Sequence, residues 1–121
     1  MGKGRLLVVD DEPEVRSLLG RVLRHAGYEV EVAADASAAL GRLKDAPPFD
    51  VVVVDLIMQP MEGLPMVRAI RAANPAQRLF MVSGKLVGAS ERQELAALGI
   101  PFCAKPFRNS DILRTIELLL K

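Results

Sequence analysis

The sequence predicts an α/β domain, a doubly wound five-stranded parallel sheet with helices on both faces. Three observations point there. Short apolar runs alternate along the chain with stretches of helical periodicity. Two of the runs, Leu6-Leu7-Val8-Val9 and Val51-Val52-Val53-Val54, are apolar at every position, as strands buried on both faces are. Each leads straight into acid, Asp10-Asp11 after the first and Asp55 after the second.

Arg5 to Val9 reads as the first strand. A helix follows, with Asp11 placed as its N-cap, Pro13 in its first turn and Gly27 as its stop. Val15, Leu18, Leu19, Val22 and Leu23 form its apolar stripe. Tyr28 to Ala33 alternates weakly and reads as the second strand. Asp35 to Lys44 is a short helix with Leu40 and Leu43 inward, ended by Pro47-Pro48. Asp50 to Val54 is the central strand. Met58 to Gly63 is a loop, and a helix runs from Leu64 to Ala73 before Asn74-Pro75 breaks it.

Leu79 to Val82 is the fourth strand, closed by Ser83-Gly84. A helix over Ser90 to Leu98 ends at Gly99, and Pro101 to Ala104 is a short fifth strand closed by Lys105-Pro106. Asn109 is placed as the cap of the last helix, whose apolar face is Ile112, Leu113, Ile116, Leu119 and Leu120. The expected organisation is a single domain over 1–121, with no repeat, linker or separate output domain.

Composition excludes several classes. Half the residues are hydrophobic, against disorder, yet no apolar run is long enough to span a membrane. Met1-Gly2-Lys3-Gly4 lacks the apolar stretch of a secretory signal, so a cytoplasmic location is expected. The single cysteine, Cys103, rules out an intrachain disulfide. With 16 basic against 15 acidic residues, four Phe, one Tyr and no Trp, the chain has neither the field nor the stacking surfaces for direct nucleic-acid binding.

The chemistry is in the acids. In a parallel α/β sheet, side chains at strand ends gather in the crevice at the carboxyl edge, where ligands bind. Asp10, Asp11 and Asp55 would repel one another there and resist ionising unless a cation sat among them. Hard oxygen ligands with room for water and phosphate oxygens describe a Mg²⁺ site suited to phosphoryl chemistry.

Taken together, Asp10-Asp11, Asp55, Ser83 and Lys105-Pro106-Phe107 resemble the receiver domain of two-component response regulators. The likeness covers essentially the whole chain and implies a flavodoxin-like strand order. It implies that Asp55 is the phosphoacceptor, served by a sensor histidine kinase or phosphotransfer protein. It also implies that Asp10, Asp11, Asp55 and the backbone carbonyl of Ile57 hold Mg²⁺. Ser83 would bond the phosphoryl oxygens, and Lys105, before a cis proline, would meet the incoming charge. Phe102 matches the switch aromatic that turns as Ser83 moves. That motion would remodel the face of the fourth helix, fifth strand and last helix, where a downstream effector domain or target protein binds. Oligomeric state is left open.

The chain also departs from the family pattern. Pro60 comes one position late in Met58-Gln59-Pro60, Ser83 replaces the commoner threonine, and Gly99-Ile100-Pro101 stands where transcription-factor receivers often carry an acidic pair.

Two other classes share part of this pattern. A haloacid-dehalogenase-type phosphotransferase also uses a strand-end aspartate, but it expects a second Asp where Ile57 stands, and a cap domain. A phosphate-independent pseudo-receiver would not need the acidic and lysine positions that are intact. Outside the site, the blander roles are favoured. His25 suits the first helix's C-terminal dipole and Cys103 is a small buried hydrophobe. Arg68, Arg71 and Arg78 form a solvated face, and Gly2-Lys3-Gly4 is no dinucleotide fingerprint. By the resemblance, Ile57 and Lys85 flank the attacking water, and Ile57 offers that water no hydrogen bond. A long-lived phosphoryl group is therefore expected, and rapid loss of phosphate from the purified protein would refute it.

Overall fold

A computed structural model of the chain describes residues 3–45, 48–55, 63–83, 89–104 and 108–121; the side chains of Asp45, Asp55, Ser83, Glu91 and Ala104 are outside the description. Within it the elements run β1 (Arg5–Val9), α1 (Pro13–His25), β2 (Glu29–Ala33), α2 (Ala36–Asp45), β3 (Val51–Asp55), α3 (Gly63–Ala73), β4 (Leu79–Ser83), α4 (Ala89–Ala97), β5 (Phe102–Ala104) and α5 (Asn109–Leu119). The strands pair in parallel in the order β2-β1-β3-β4-β5, the expected flavodoxin-like sheet. Among the described residues no helix is long and apolar enough to cross a membrane.

Strand alternation sorts the apolar side chains into two cores. Leu7, Val9, Val52, Val54, Leu79 and Met81 pack beneath α2, α3 and α4, against side chains such as Ala39, Val67, Ile70 and Leu95. Leu6, Val8, Val51, Val53, Phe80 and Val82 face the other way, against Leu19 and Leu23 of α1 and Ile112 and Ile116 of α5. Each such side chain stabilises the fold by roughly 1.5–3 kcal/mol when fully buried. The uninterrupted apolar runs are thus explained by helices on both faces.

Element ends follow local chemistry. Gly27 and Gly99 take the left-handed backbone, at φ 105° and 69°, that turns the chain out of α1 and α4. Asp35 stands just outside α2 and accepts the Ala38 N–H at 2.8 Å. Asp50 likewise precedes β3, where its Oδ2 accepts the Arg5 N–H at 2.7 Å.

Several expectations need correction. Asp11 does not cap α1; Glu12 is the N-cap residue, and the carboxylate folded onto it is that of Asp10, whose Oδ1 accepts the Glu12 N–H at 2.9 Å. The Asp10 N–H is bonded to Ala33 O at 3.1 Å, which keeps Asp10 in line with β1 and puts its side chain two residues from the helix start. Asn109 is the first residue of α5 rather than its cap; Arg108 precedes it and donates its N–H to Asp111 Oδ2 at 3.3 Å. Leu18 is 52% exposed, because the buried stripe of α1 is centred on Leu19 and Leu23. Leu18 lies about 100° around the helix from Leu19.

Of the arginines expected on a solvated face, Arg68 and Arg78 are exposed, and Arg71 is the exception. Arg68 is paired with Glu94 of α4. Arg71 is half-buried and donates to Gln77 O and Leu98 O, each at 2.8 Å, since its planar fork can serve two orphaned carbonyls at once. Buried Gln77 donates through Nε2 to Phe49 O and Arg78 O. On β2, Glu31 pairs with both Arg5 and Arg42, and Glu29 lies 3.6 Å from Arg5.

Truncating the core and truncating the surface should separate cleanly. In urea unfolding, Ile116→Ala is expected to lose roughly 2–5 kcal/mol, the usual cost of a cavity at a fully buried site. Leu118→Ala, removing a side chain that is 60% exposed, should stay within about 0.5 kcal/mol of the parent protein.

Candidate functional site

Parallel pairing brings every strand's carboxyl end to one edge of the sheet. The register sets Val9 beside Val54, so Asp10 and Asp55 are the next residues along neighbouring strands. Asp55 is paired with Val82, Ser83 follows it on β4, and Ser83 is paired with Ala104. Lys105 is the next residue after β5. The backbone ends of β1, β3, β4 and β5 therefore share one rim, with Asp10, Asp55 and Ser83 at neighbouring positions along it. The side chains of Asp55 and Ser83 are outside the description. So are residues Ile57, Lys85 and Lys105, the Lys105-Pro106 bond and the Met58–Glu62 part of the loop.

Asp10 is held most firmly among the described site residues. It is 1% exposed, fixed by its N–H to β2 and by the Glu12 N–H on its carboxylate. Its carbonyl accepts Arg16 Nη1 at 2.8 Å. Arg16 is a positioning residue that sequence reasoning missed: it closes the first turn of α1, where nothing in the apolar periodicity marks it. It pins the turn between β1 and α1 from the helix side. Asp11, by contrast, is exposed.

This donor set fits a small divalent cation. A buried, oriented carboxylate and an exposed one beside it are hard oxygen ligands, and the neighbouring strand ends in a third acidic residue. Among the described residues no three such ligands stand together, and the carboxylate of Asp55 lies outside them.

On the far side of the rim, β5 divides its side chains between the two layers. Phe102 is half-buried and packs with the α2–α3–α4 core. It lines a shallow depression of about 440 Å³ with Arg92, Leu95, Ala96 and Ile100. Cys103 faces the α1–α5 core, partly buried, as a small hydrophobe would. Its thiol pKa is pushed up by burial and, to a lesser degree, by the charge of Asp111.

Comparison with known proteins gives a consistent result. The model of the response regulator receiver domain matches residues 6–117. The probable transcriptional regulatory protein TcrX of Mycobacterium tuberculosis is 30% identical over 96% of this chain. The chain spans about half of that relative's length, 49%. Among solved structures, the chemotaxis protein CheY4 of Vibrio cholerae is 32% identical with a TM-score of 0.87, over 97% of this chain and 98% of that one. The response regulator TrrA of Thermotoga maritima, solved in complex with Mg²⁺ and BeF, is 27% identical with a TM-score of 0.84, over 97% and 99% of the two chains.

The raised thiol pKa has a chemical consequence. At pH 8, iodoacetamide should alkylate Cys103 more slowly in the folded protein than in urea, since burial and Asp111 both disfavour the thiolate. Equal rates measured by mass spectrometry would contradict that placement of β5.

Proposed function

Since this chain belongs to the response regulator receiver domain family, a signalling module of two-component systems, we propose that it accepts a phosphoryl group on Asp55 from a sensor histidine kinase or phosphotransfer protein. The observation that carries this reading is the single sheet edge on which the ends of β1, β3, β4 and β5 meet in register. A carboxylate oxygen of Asp55 attacks phosphorus, and the new P–O bond forms as the donor's P–N bond breaks. The chain modifies itself and does not turn over an external substrate.

Asp10 and Asp11, with Asp55 and the Ile57 carbonyl, would hold Mg²⁺. When bound, the ion would draw charge from the phosphoryl oxygens, which is where such a transfer most needs neutralising. The Mg²⁺ and BeF complex of TrrA supports this assignment by likeness. Buried Asp10 contributes a carboxylate already oriented by Glu12, so little is lost in ordering it on binding.

The Lys105 ammonium would approach the phosphoryl oxygens, and the Ser83 hydroxyl would donate a hydrogen bond to them. Phe102 reports that movement to the face formed by α4, β5 and α5, where an effector domain or target protein docks. The new negative charge biases a two-state element. Ile57 and Lys85 would screen the acylphosphate from water. The setting is the cytoplasm, and the receiver acts as one domain.

The test is intact-mass measurement after incubation with Mg²⁺ and acetyl phosphate. A single phosphoryl adduct is expected, absent without metal and absent in Asp55→Asn. Asp10→Asn keeps an oxygen for the Glu12 N–H but loses a charge, and should raise the Mg²⁺ requirement about tenfold or more, about 1.4 kcal/mol. An adduct formed equally well without Asp55 or without metal would refute the reading.

A further inference from the structure

The helix beside Phe102 is poorly anchored by apolar packing. Among the described side chains of α4, Leu95 alone is buried, at 2% exposure. By comparison, α3 buries Leu64, Met66, Val67 and Ile70 in the same layer. Beside the apolar contact of Leu95, two described polar ties reach α4 and its end from α3. Arg68 grips Glu94 with two parallel bonds, Nε to Oε2 at 2.5 Å and Nη2 to Oε1 at 2.6 Å. One turn further along, Arg71 Nη1 holds the carbonyl of Leu98, just past the end of α4, at 2.8 Å.

These two ties differ in kind. Arg71 is half-buried and also bonds Gln77 O, and Gln77 in turn is buried and bonds Phe49 O. That chain joins the entry of β3 to the exit of α4 and has few ways to open. Arg68 and Glu94 are more exposed, with side chains 54% and 31% accessible, so water can replace their contact at small cost. The hydrogen bond from Arg68 holds the Glu94 carboxyl below the usual carboxylate range.

We propose that α4 is held by a two-point latch, with Arg71 as a fixed pivot and the Arg68–Glu94 pair as the releasable catch that sets how readily the Phe102 face changes state. The placement gives the latch its leverage. Helix α3 follows the strand ending in Asp55, and α4 follows the strand ending in Ser83. The catch therefore bridges the two helices that follow these strands, and while closed it holds α4 in its unswitched position. Glu94 lies two residues from Arg92 and next to Leu95, which both line the depression around Phe102. Opening the catch loosens the wall of that depression while the pivot keeps the helix attached. The regulatory half of this inference rests on the receiver reading; the mechanical half does not.

Two measurements on the intact chain test it. NMR-detected amide exchange over 89–98, without any phosphodonor, reads the latch itself. Arg68→Gln and Glu94→Gln should each speed exchange there about two- to fivefold, the range of an exposed ion pair, while α1 and α5 are unchanged. The reversed pair, Arg68→Glu with Glu94→Arg, should restore protection. Arg71→Gln should instead loosen the turn at Gln77 as well as α4. Phosphorylation by acetyl phosphate reads the regulatory half. The catch variants should form the adduct faster by a similar factor, since a freer α4 populates the switched state more. Unchanged exchange in α4 in both single variants, or no recovery in the reversed pair, would overturn the latch. Faster exchange with an unchanged adduct rate would overturn its regulatory role and leave the receiver reading intact. Absence of adduct in every variant, the parent included, would overturn the receiver reading, and with it the regulatory half.

Discussion

Burial of β1 and β3 on both faces is the constraint from which the site inherits its geometry. Their side chains alternate between two cores, so a slip of one residue in pairing would exchange the contents of the two layers. With most of those residues fully buried, such a slip would cost many kcal/mol. The strand ends are therefore fixed relative to one another by packing that lies wholly below the rim. The polar residues at the ends of β1 and β3 thus take their backbone spacing from apolar residues lower in the sheet.

Asp10 shows how little of the rim is left to chance. It occupies the first position after a buried strand, and its backbone and carboxylate are both committed to structure. The bond from the Glu12 N–H, just ahead of α1, orients the carboxylate, and Arg16 returns from the helix to secure the turn. Folding and the orientation of this carboxylate share these contacts, so a substitution at Asp10 disturbs the turn unless the hydrogen-bond acceptor is kept.

Much of this was legible in the sequence, because hydrophobic pattern and turn residues act locally. The element order and sheet were readable from apolar runs and helical periodicity, and Gly27 and Gly99 stop α1 and α4 where their lack of Cβ is needed. The positions of Asp10 and Asp55 at neighbouring strand ends were readable because each directly follows an uninterrupted apolar run. What stayed hidden is polar and long-range. Arg71 reaches a carbonyl 27 residues away and Gln77 one 28 residues away, and no periodicity announces either. The choice between Asp10 and Asp11 as helix partner depends on where the turn begins, and adjacent aspartates look alike in a sequence. Leu18 was misplaced because its hydrophobicity fits the stripe while its angle does not.

The acidic face of β2 has a consequence for the molecule's solubility. This strand is one margin of the sheet, and a margin exposes backbone groups to which another chain's strand could add. Here the strand carries Glu29 and Glu31, with Arg5 and Arg42 gathered around them. An incoming strand would have to desolvate that charge cluster and compete for its arginines before gaining a single ladder bond. The opposite margin, β5, is three residues long and preceded by Pro101. A protein with so apolar a sheet is thus guarded at both borders against growing into a larger one.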